Sequence, residues 1–292
     1  MGRKKFRPQR ELSMPGIRQL IFTALALLAF AGNSLLCRAA LQHTPIDAAS
    51  FTTIRLVSGA LVLWGLVQLT RREAAGRGSW PSALALFAYA AAFSFAYVNL
   101  PTGTGALLLF GAVQTGMIGW GLVKGERFSP AQLIGLLLAL AGLVGLLLPG
   151  LSAPPLGAAL LMIAAGLAWA VYSLRGKGAG DPLRVTAGNF MRTVPVALVM
   201  SLLFMNSAQV DTAGALYAIA SGAVTSGIGY AIWYAALPHL KATTAATLQL
   251  SVPVIAALGG IAWLGEPLTL RLLLASAAIL GGIALVIRKQ AK

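Results

Sequence analysis

Several side chains in this sequence have the chemistry to hold a small organic molecule away from water. Tyr89, Phe93 and Tyr97 recur at i, i+4 and i+8, the spacing that puts three rings on one face of a helix. Ser226, Tyr230, Trp233 and Tyr234 repeat the pattern later, and Trp169 and Tyr172 stand three apart between the two sets. Such rings stack on a flat or apolar group while their hydroxyl and indole N–H groups hydrogen-bond its polar end. Tyr89, Phe93, Tyr97, Trp169, Tyr172, Tyr230 and Tyr234 are therefore candidate walls of a substrate cavity. Aromatic residues near helix ends have a second use as anchors at the lipid headgroup level, and Trp64, Trp80 and Trp263 fit it. The amides Asn33, Gln114, Asn189 and Gln249 sit in apolar surroundings that offer no partners, so they line a pathway or hydrogen-bond a neighbouring helix.

Two arginines, Arg55 and Arg192, fall inside apolar stretches, where a cation is expensive and a functional role is the default reading. Each either clamps the carbonyl ends of a neighbouring helix or binds a carboxylate or phosphate of the substrate. Pro253 removes a backbone donor from a later apolar stretch, which makes it a hinge candidate. Covalent chemistry has no comparable set. The acidic residues Glu11, Asp47, Glu73, Glu126, Asp181, Asp211 and Glu266 all fall in tails or loops, and His43 and His239 lie at helix ends. No catalytic residues, metal ligands or cofactor are expected, and the chain is not read as an enzyme. Cys37 is the single cysteine. With no carboxylate at mid-membrane depth, proton coupling has no obvious residue, so facilitated exchange or uniport fits at least as well. No Walker motif points to ATP.

These residues are carried by apolar segments. Of 292 residues 58% are hydrophobic and 10% charged, against about a quarter charged in a typical soluble domain. Ten apolar runs, at 17–39, 48–70, 81–100, 104–123, 130–149, 155–174, 184–205, 213–236, 243–263 and 269–287, each approach the roughly 20 residues needed to cross a bilayer. The expected fold class is an all-α integral membrane protein with ten transmembrane helices. The first run follows a basic tail and reads as an uncleaved first helix.

The formal charge of +15 is explained by topology. Arg3 to Arg18, Arg71, Arg72, Arg77, Lys124, Arg127, Arg175, Lys177, Arg184, Lys241 and the C-terminal Arg288, Lys289 and Lys292 alternate onto one side of the membrane. The other side carries Arg38 and Arg271. Positive short loops stay cytoplasmic, so both termini are expected in the cytoplasm of an inner-membrane protein. The expected partners are a small-molecule substrate and the lipid bilayer, not nucleic acid. A monomer is compatible with the sequence. Gly116 with Gly119 and Gly281 with Gly282 permit close packing within or between chains.

The sequence repeats internally. A shift of 137 residues maps Arg38 onto Arg175, Pro45 onto Pro182, Arg55 onto Arg192, Phe93 onto Tyr230 and Tyr97 onto Tyr234. After three extra residues a shift of 140 maps Thr104 onto Thr244, Gly125-Glu126 onto Gly265-Glu266 and Gly142 onto Gly282. Two five-helix units result, at 1–150 and 151–292. Five is odd, so the second copy enters the membrane from the opposite side, the inverted-repeat plan of secondary transporters.

The stretch from Leu248 to Ile287, with a proline mid-helix, Gly265-Glu266 after it and a glycine-rich last helix, resembles the EamA-type branch of the drug/metabolite transporter superfamily. Its first-half counterpart keeps Gly125-Glu126 but has Val113 where the second copy has Pro253. The segment around Arg55 resembles the family's second helix, and Ala31 to Leu41 matches its first-helix pattern loosely. The resemblance implies a ten-helix carrier working by alternating access. Within the superfamily the chain looks most like the YddG-type exporters of aromatic amino acids. The implied substrate is a small neutral or amphipathic metabolite, with amino acids (aromatic ones included) foremost. Phosphorylated or nucleotide-linked sugars and lipophilic drugs are the alternatives.

Overall fold

Apolar runs of this length leave the backbone one solution. In lipid every N–H and C=O must be paired within the chain, and a helix does this segment by segment. The computed structural model describes residues 16–70, 76–125, 129–148, 150, 153–176, 179–236 and 248–290, without the side chains of 17–19, 234–236 and 287–290. Every regular element among the described residues is helical: α1 (Ile17–His43), α2 (Ala48–Thr70), α3 (Trp80–Tyr97), α4 (Thr102–Val123), α5 (Pro130–Leu147), α6 (Leu156–Gly176) and α7 (Pro182–Leu203). A short 3-10 turn (Met205–Ser207) leads to α8 (Thr212–Ile219). A π-helical segment (Ala220–Ile228) joins α8 to α9 (Gly229–Ala236), and α10 (Ser251–Leu264) and α11 (Leu270–Gln290) complete the described chain.

The helix starts carry local signals. Ser79 accepts from the Ser82 N–H ahead of Pro81, and Asp181 accepts from the Arg184 N–H ahead of Pro182. Both pair a capping side chain with a proline whose missing donor costs nothing in the first turn. Among the described residues eight spans are long and apolar enough to cross a membrane, the eighth being Thr212–Trp233, and Ser251–Leu264 and Leu270–Val286 are shorter apolar helices. The molecule is thus a multi-pass helical membrane protein. The expected run at 213–236 is interrupted by the π segment. The expected run at 243–263 is described only from 248 onward.

Aliphatic side chains face outward along the rods, including Leu133, Ile134 and Leu137 of α5 and Leu198, Leu202 and Leu203 of α7. Exposed apolar area on this scale belongs against lipid tails. Trp64, Trp80 and Trp263 are about half exposed on the same outer surface. Inside, α5 packs along α11, α2 along α7, α3 and α4 along α6, and α1 along the α8–π–α9 rod and α10. Glycine permits the tightest crossings. A Cβ on Gly135 would stand 2.6 Å from the Gly282 carbonyl oxygen, and one on Gly282 would stand 2.5 Å from that of Gly135. Gly282 therefore serves a contact within the chain, as small residues do where membrane helices touch.

One end of the bundle is stapled by charge. Arg38 Nη1 donates to the carbonyls of Tyr97 and Val98 at the end of α3, 2.9 Å each, and its Nε lies 3.5 Å from the Glu266 carboxylate. Glu266 in turn accepts from the Thr102 N–H at 2.8 Å and the Thr102 hydroxyl at 3.0 Å. An anion is placed on the positive end of α4, and α1, α3, α4 and the α10–α11 loop are tied together. Glu126, the repeat partner of Glu266, lies outside the described residues.

Candidate functional site

The centre of the bundle holds a small cavity. Its walls are Phe30, Asn33 and Ser34 from α1, Tyr89 and Phe93 from α3, Leu109 and Phe110 from α4, Trp169 from α6, Tyr230 from α9, and Gln249 just before α10. The free space is about 20 Å³, little more than one water needs. None of these wall residues is charged.

Trp169 is the hub of the aromatic wall. Its ring centroid lies 4.7 Å from Tyr89, 5.2 Å from Tyr230 and 5.4 Å from Tyr172. Phe30 meets Tyr230 and Trp233 edge-on at 5.8 and 5.6 Å. Such pairs are worth roughly 0.5–1.5 kcal/mol each beyond their area, so the wall is held in shape before a ligand arrives.

A polar network lies against one side. Asn33 Nδ2 donates to the Tyr89 hydroxyl at 3.3 Å, and Asn33 Oδ1 accepts from Ser221 at 2.6 Å and Thr225 at 3.3 Å. Arg55 is 2% exposed. Its Nη2 donates to the same Tyr89 hydroxyl at 3.2 Å and its Nε to Ser226 Oγ at 3.4 Å. Its Cζ lies 5.3 Å from the Tyr89 ring centre and 5.0 Å from that of Phe93, within cation–π range. Ser221, Thr225 and Ser226 all come from the π segment. The wider turn lines up three hydroxyls on Asn33 and Arg55, and π segments often mark functional positions. The approach is close: a Cβ on Gly222 would stand 2.1 Å from the Arg55 carbonyl oxygen.

The structure brings together Asn33, Tyr89, Phe93, Trp169, Tyr230 and Gln249 around one cavity. Four other sequence candidates, Tyr97, Tyr172, Asn189 and Gln114, are not among its walls. Tyr97 is fully buried, edge-on to Phe93 at 4.7 Å, with its hydroxyl donating to the Thr102 carbonyl at 3.3 Å. Tyr172 accepts from Asn189 Nδ2 at 3.5 Å, and Asn189 Oδ1 holds the Ser79 N–H at 2.8 Å. Gln114 is buried on α4 one turn beyond Phe110. The Tyr234 side chain lies outside the described residues. Pro253 is buried in the first turn of α10, just after a turn at Leu250. Arg192 is only half-buried and its Nη1 donates to the backbone carbonyls of Arg77 and Gly188.

Phe30, Ser34, Leu109 and Phe110 were not among the sequence candidates. Phe30 carried a usable signal, three residues before Asn33 on the same helical face. Leu109 and Phe110 carried none, because an apolar cavity wall and a lipid-facing surface have the same composition.

The model of the EamA-like transporter family matches residues 156–288. An uncharacterised protein of Pseudomonas aeruginosa is 60% identical over 275 residues, covering 94% of this chain and 96% of that one. The threonine/homoserine exporter RhtA of Salmonella typhimurium is 29% identical over 300 residues, with 95% of this chain and 97% of RhtA covered. RhtA of Escherichia coli is 27% identical over 297 residues, with coverage of 96% and 95%. A solved crystal structure 21% identical in sequence superposes with a TM-score of 0.63 over 92% of this chain and 96% of that one, which shows a shared fold.

Proposed function

The chain belongs to the EamA-type drug/metabolite transporter superfamily, and on that premise we propose that this membrane transporter of small metabolites is an alternating-access carrier exporting or exchanging amino acids, aromatic ones included. The observation that carries the reading is the small aromatic cavity at the bundle centre, walled by α1, α3 and α4 of one half and α6, α9 and Gln249 of the other. It is apolar enough to take a side chain and has hydroxyl and amide groups for a polar end. The relatives named as threonine/homoserine exporters support an amino-acid substrate and the outward direction.

The proposed architecture is ten spans in two inverted five-helix repeats, 1–150 and 151–292, with both termini cytoplasmic in the inner membrane. Helix pairing supports it. Exchanging α1 with α6, α2 with α7, α3 with the α8–π–α9 rod, α4 with α10 and α5 with α11 turns the α3–α6 pairing into that of the rod with α1. The same exchange leaves α2–α7 and α5–α11 as self-pairs. A site at the repeat interface near the midplane follows the plan of inverted-repeat carriers. In this frame the Arg38–Glu266–Thr102 staple closes the external end, and Pro253, in the first turn of α10, is the proposed hinge.

A phosphorylated sugar fits poorly, since a desolvated phosphate asks for several cations and the wall residues carry no charge. The deciding experiment is uptake by purified protein in liposomes. The panel holds threonine, homoserine, phenylalanine, a sugar phosphate and a lipophilic cation, with and without a pH gradient. Saturable amino-acid flux indifferent to the gradient is expected. Movement of the sugar phosphate or the cation alone overturns the reading.

A further inference from the structure

Among the described residues Arg55 is a buried charge without a counterion. None of the described carboxylates, Asp47, Asp181, Asp211 and Glu266, pairs with it, and its Nη1 is buried with no hydrogen-bond partner among the described residues. Guanidinium stays protonated at any physiological pH. Two tyrosine and serine hydroxyls with two ring faces compensate only part of its desolvation. An uncompensated cation beside a transport cavity marks a ligand position more than a structural one. Its repeat counterpart shows what structural use looks like, with both of its bonds on backbone carbonyls.

We propose that Arg55 is the carboxylate-binding subsite of the transported molecule, and that the Tyr89 hydroxyl occupies the carboxylate's place while the cavity is empty. The inference rests on the amino-acid reading above and deepens it: the substrate must carry a free carboxylate. The two rings that line the cavity on α3, Tyr89 and Phe93, are those the guanidinium lies against. The Tyr89 oxygen accepts from Arg55 Nη2 and from Asn33 Nδ2, a pair of donors suited to an anionic oxygen. With about 20 Å³ free, an amino acid enters only if a wall side chain moves. Withdrawal of Tyr89 enlarges the cavity and frees Nη2 beside the unpaired Nη1, which is the parallel pair of donors that carboxylates bind in bidentate fashion. No proton or covalent step is involved. The π segment fixes the guanidinium through Ser226 on Nε, leaving the two terminal nitrogens for ligand.

The test compares each amino acid with its own amide, threonine with threoninamide and phenylalanine with phenylalaninamide, by equilibrium binding and by liposome uptake. Wild-type protein is expected to bind the acid about 10- to 100-fold more tightly than the amide, the range of a bidentate charged contact. Arg55→Gln is expected to lose that preference, weakening the acid by the same factor and leaving the amide within about twofold. Arg55→Lys keeps the charge without the fork, and is expected to retain part of the preference should the glutamine variant fail to fold. Equal binding of acid and amide by wild type overturns the inference while the carrier reading stands. So does an equal loss of both ligands in a folded Arg55 variant. Binding of neither member of any pair sinks the amino-acid reading itself.

Discussion

Arg55 and Arg192 occupy the same place in the two halves of the sequence and do different work. Arg192 is half-buried and secures backbone: its guanidinium holds the carbonyl of Gly188 in its own helix and that of Arg77 in the segment before α3. Arg55 is buried and holds hydroxyls and ring faces, with one nitrogen unpaired. Its two hydroxyl partners, Tyr89 and Ser226, are themselves 137 residues apart and so equivalent in the repeat. In the proposed repeat the residue recurs, and its surroundings differ. A second pair shows the same divergence. Trp169, the hub of the aromatic wall, corresponds to Gly32, one residue before Asn33. In the proposed repeat one copy supplies the bulk and the other a glycine, an asymmetry that would let the cavity orient the proposed substrate.

The largest expected effect tests that second pair. Trp169→Ala removes one partner from three ring contacts and is expected to weaken amino-acid binding about 10- to 100-fold, measured by equilibrium binding and by KM for uptake. Gly32→Ala at the equivalent position is expected to stay within about twofold, since its Cβ would meet Thr225 Cγ2 at an ordinary 3.4 Å. Equal sensitivity at the two positions would break the contrast.

Arg192→Gln comes next. It is expected to lower thermal stability by about 1 kcal/mol, two partly exposed charge-assisted bonds being discounted for solvent screening, with KM unchanged within about twofold. A tenfold rise in KM in a folded, thermally normal variant would make the two arginines alike and return Arg192 to the binding machinery.

Such contrasts mark the boundary of what the sequence discloses. Eight of the expected spans were legible, because about 20 residues with almost no charge have few alternatives in lipid. The aromatic faces of α3 and α9 were legible from their spacing, and six of the cavity walls are residues singled out from those faces, from Trp169 on α6 and from the amides Asn33 and Gln249. The clamp reading of Arg192 and the ligand reading of Arg55 were both available, but each arginine falls inside an apolar run at the repeat position, which gave no reason to split them. What splits them is the π segment, which sets Ser226 against the Arg55 guanidinium and Ser221 and Thr225 against Asn33. That segment depends on Gly222 lying on the α2 backbone, a contact across 167 residues of sequence that no window of periodicity contains.

The smallest expected effect concerns how each half starts its second helix. Asp181 caps α7 through the Arg184 N–H at 2.9 Å. Asp47 caps α2 through the Ala49 and Ser50 N–H groups, 2.9 Å each, and its other oxygen accepts from the Gln209 N–H at 2.8 Å. The first half thus uses its cap to clasp the segment before α8 as well. Burial pushes the Asp47 carboxyl up, but the hydrogen bonds from Ser50, Gln209 and Ala49 outweigh it and hold the group below its ordinary value of 3.8. A lowered folded value means that ionised Asp47 stabilises the fold above the ordinary carboxylate range, and that this contribution is lost as pH falls through the folded value. Asparagine keeps the cap and removes the charge. Asp47→Asn is therefore expected to cost a few tenths of a kcal/mol at pH 7, by thermal unfolding in detergent. The cost should persist unchanged to pH 5, begin to shrink as pH falls below about 3.8, and vanish only once pH is below the lowered folded value. A difference that grows on acidification would mean the carboxylate is not held by these donors, and the first half would then start its second helix no differently from the second.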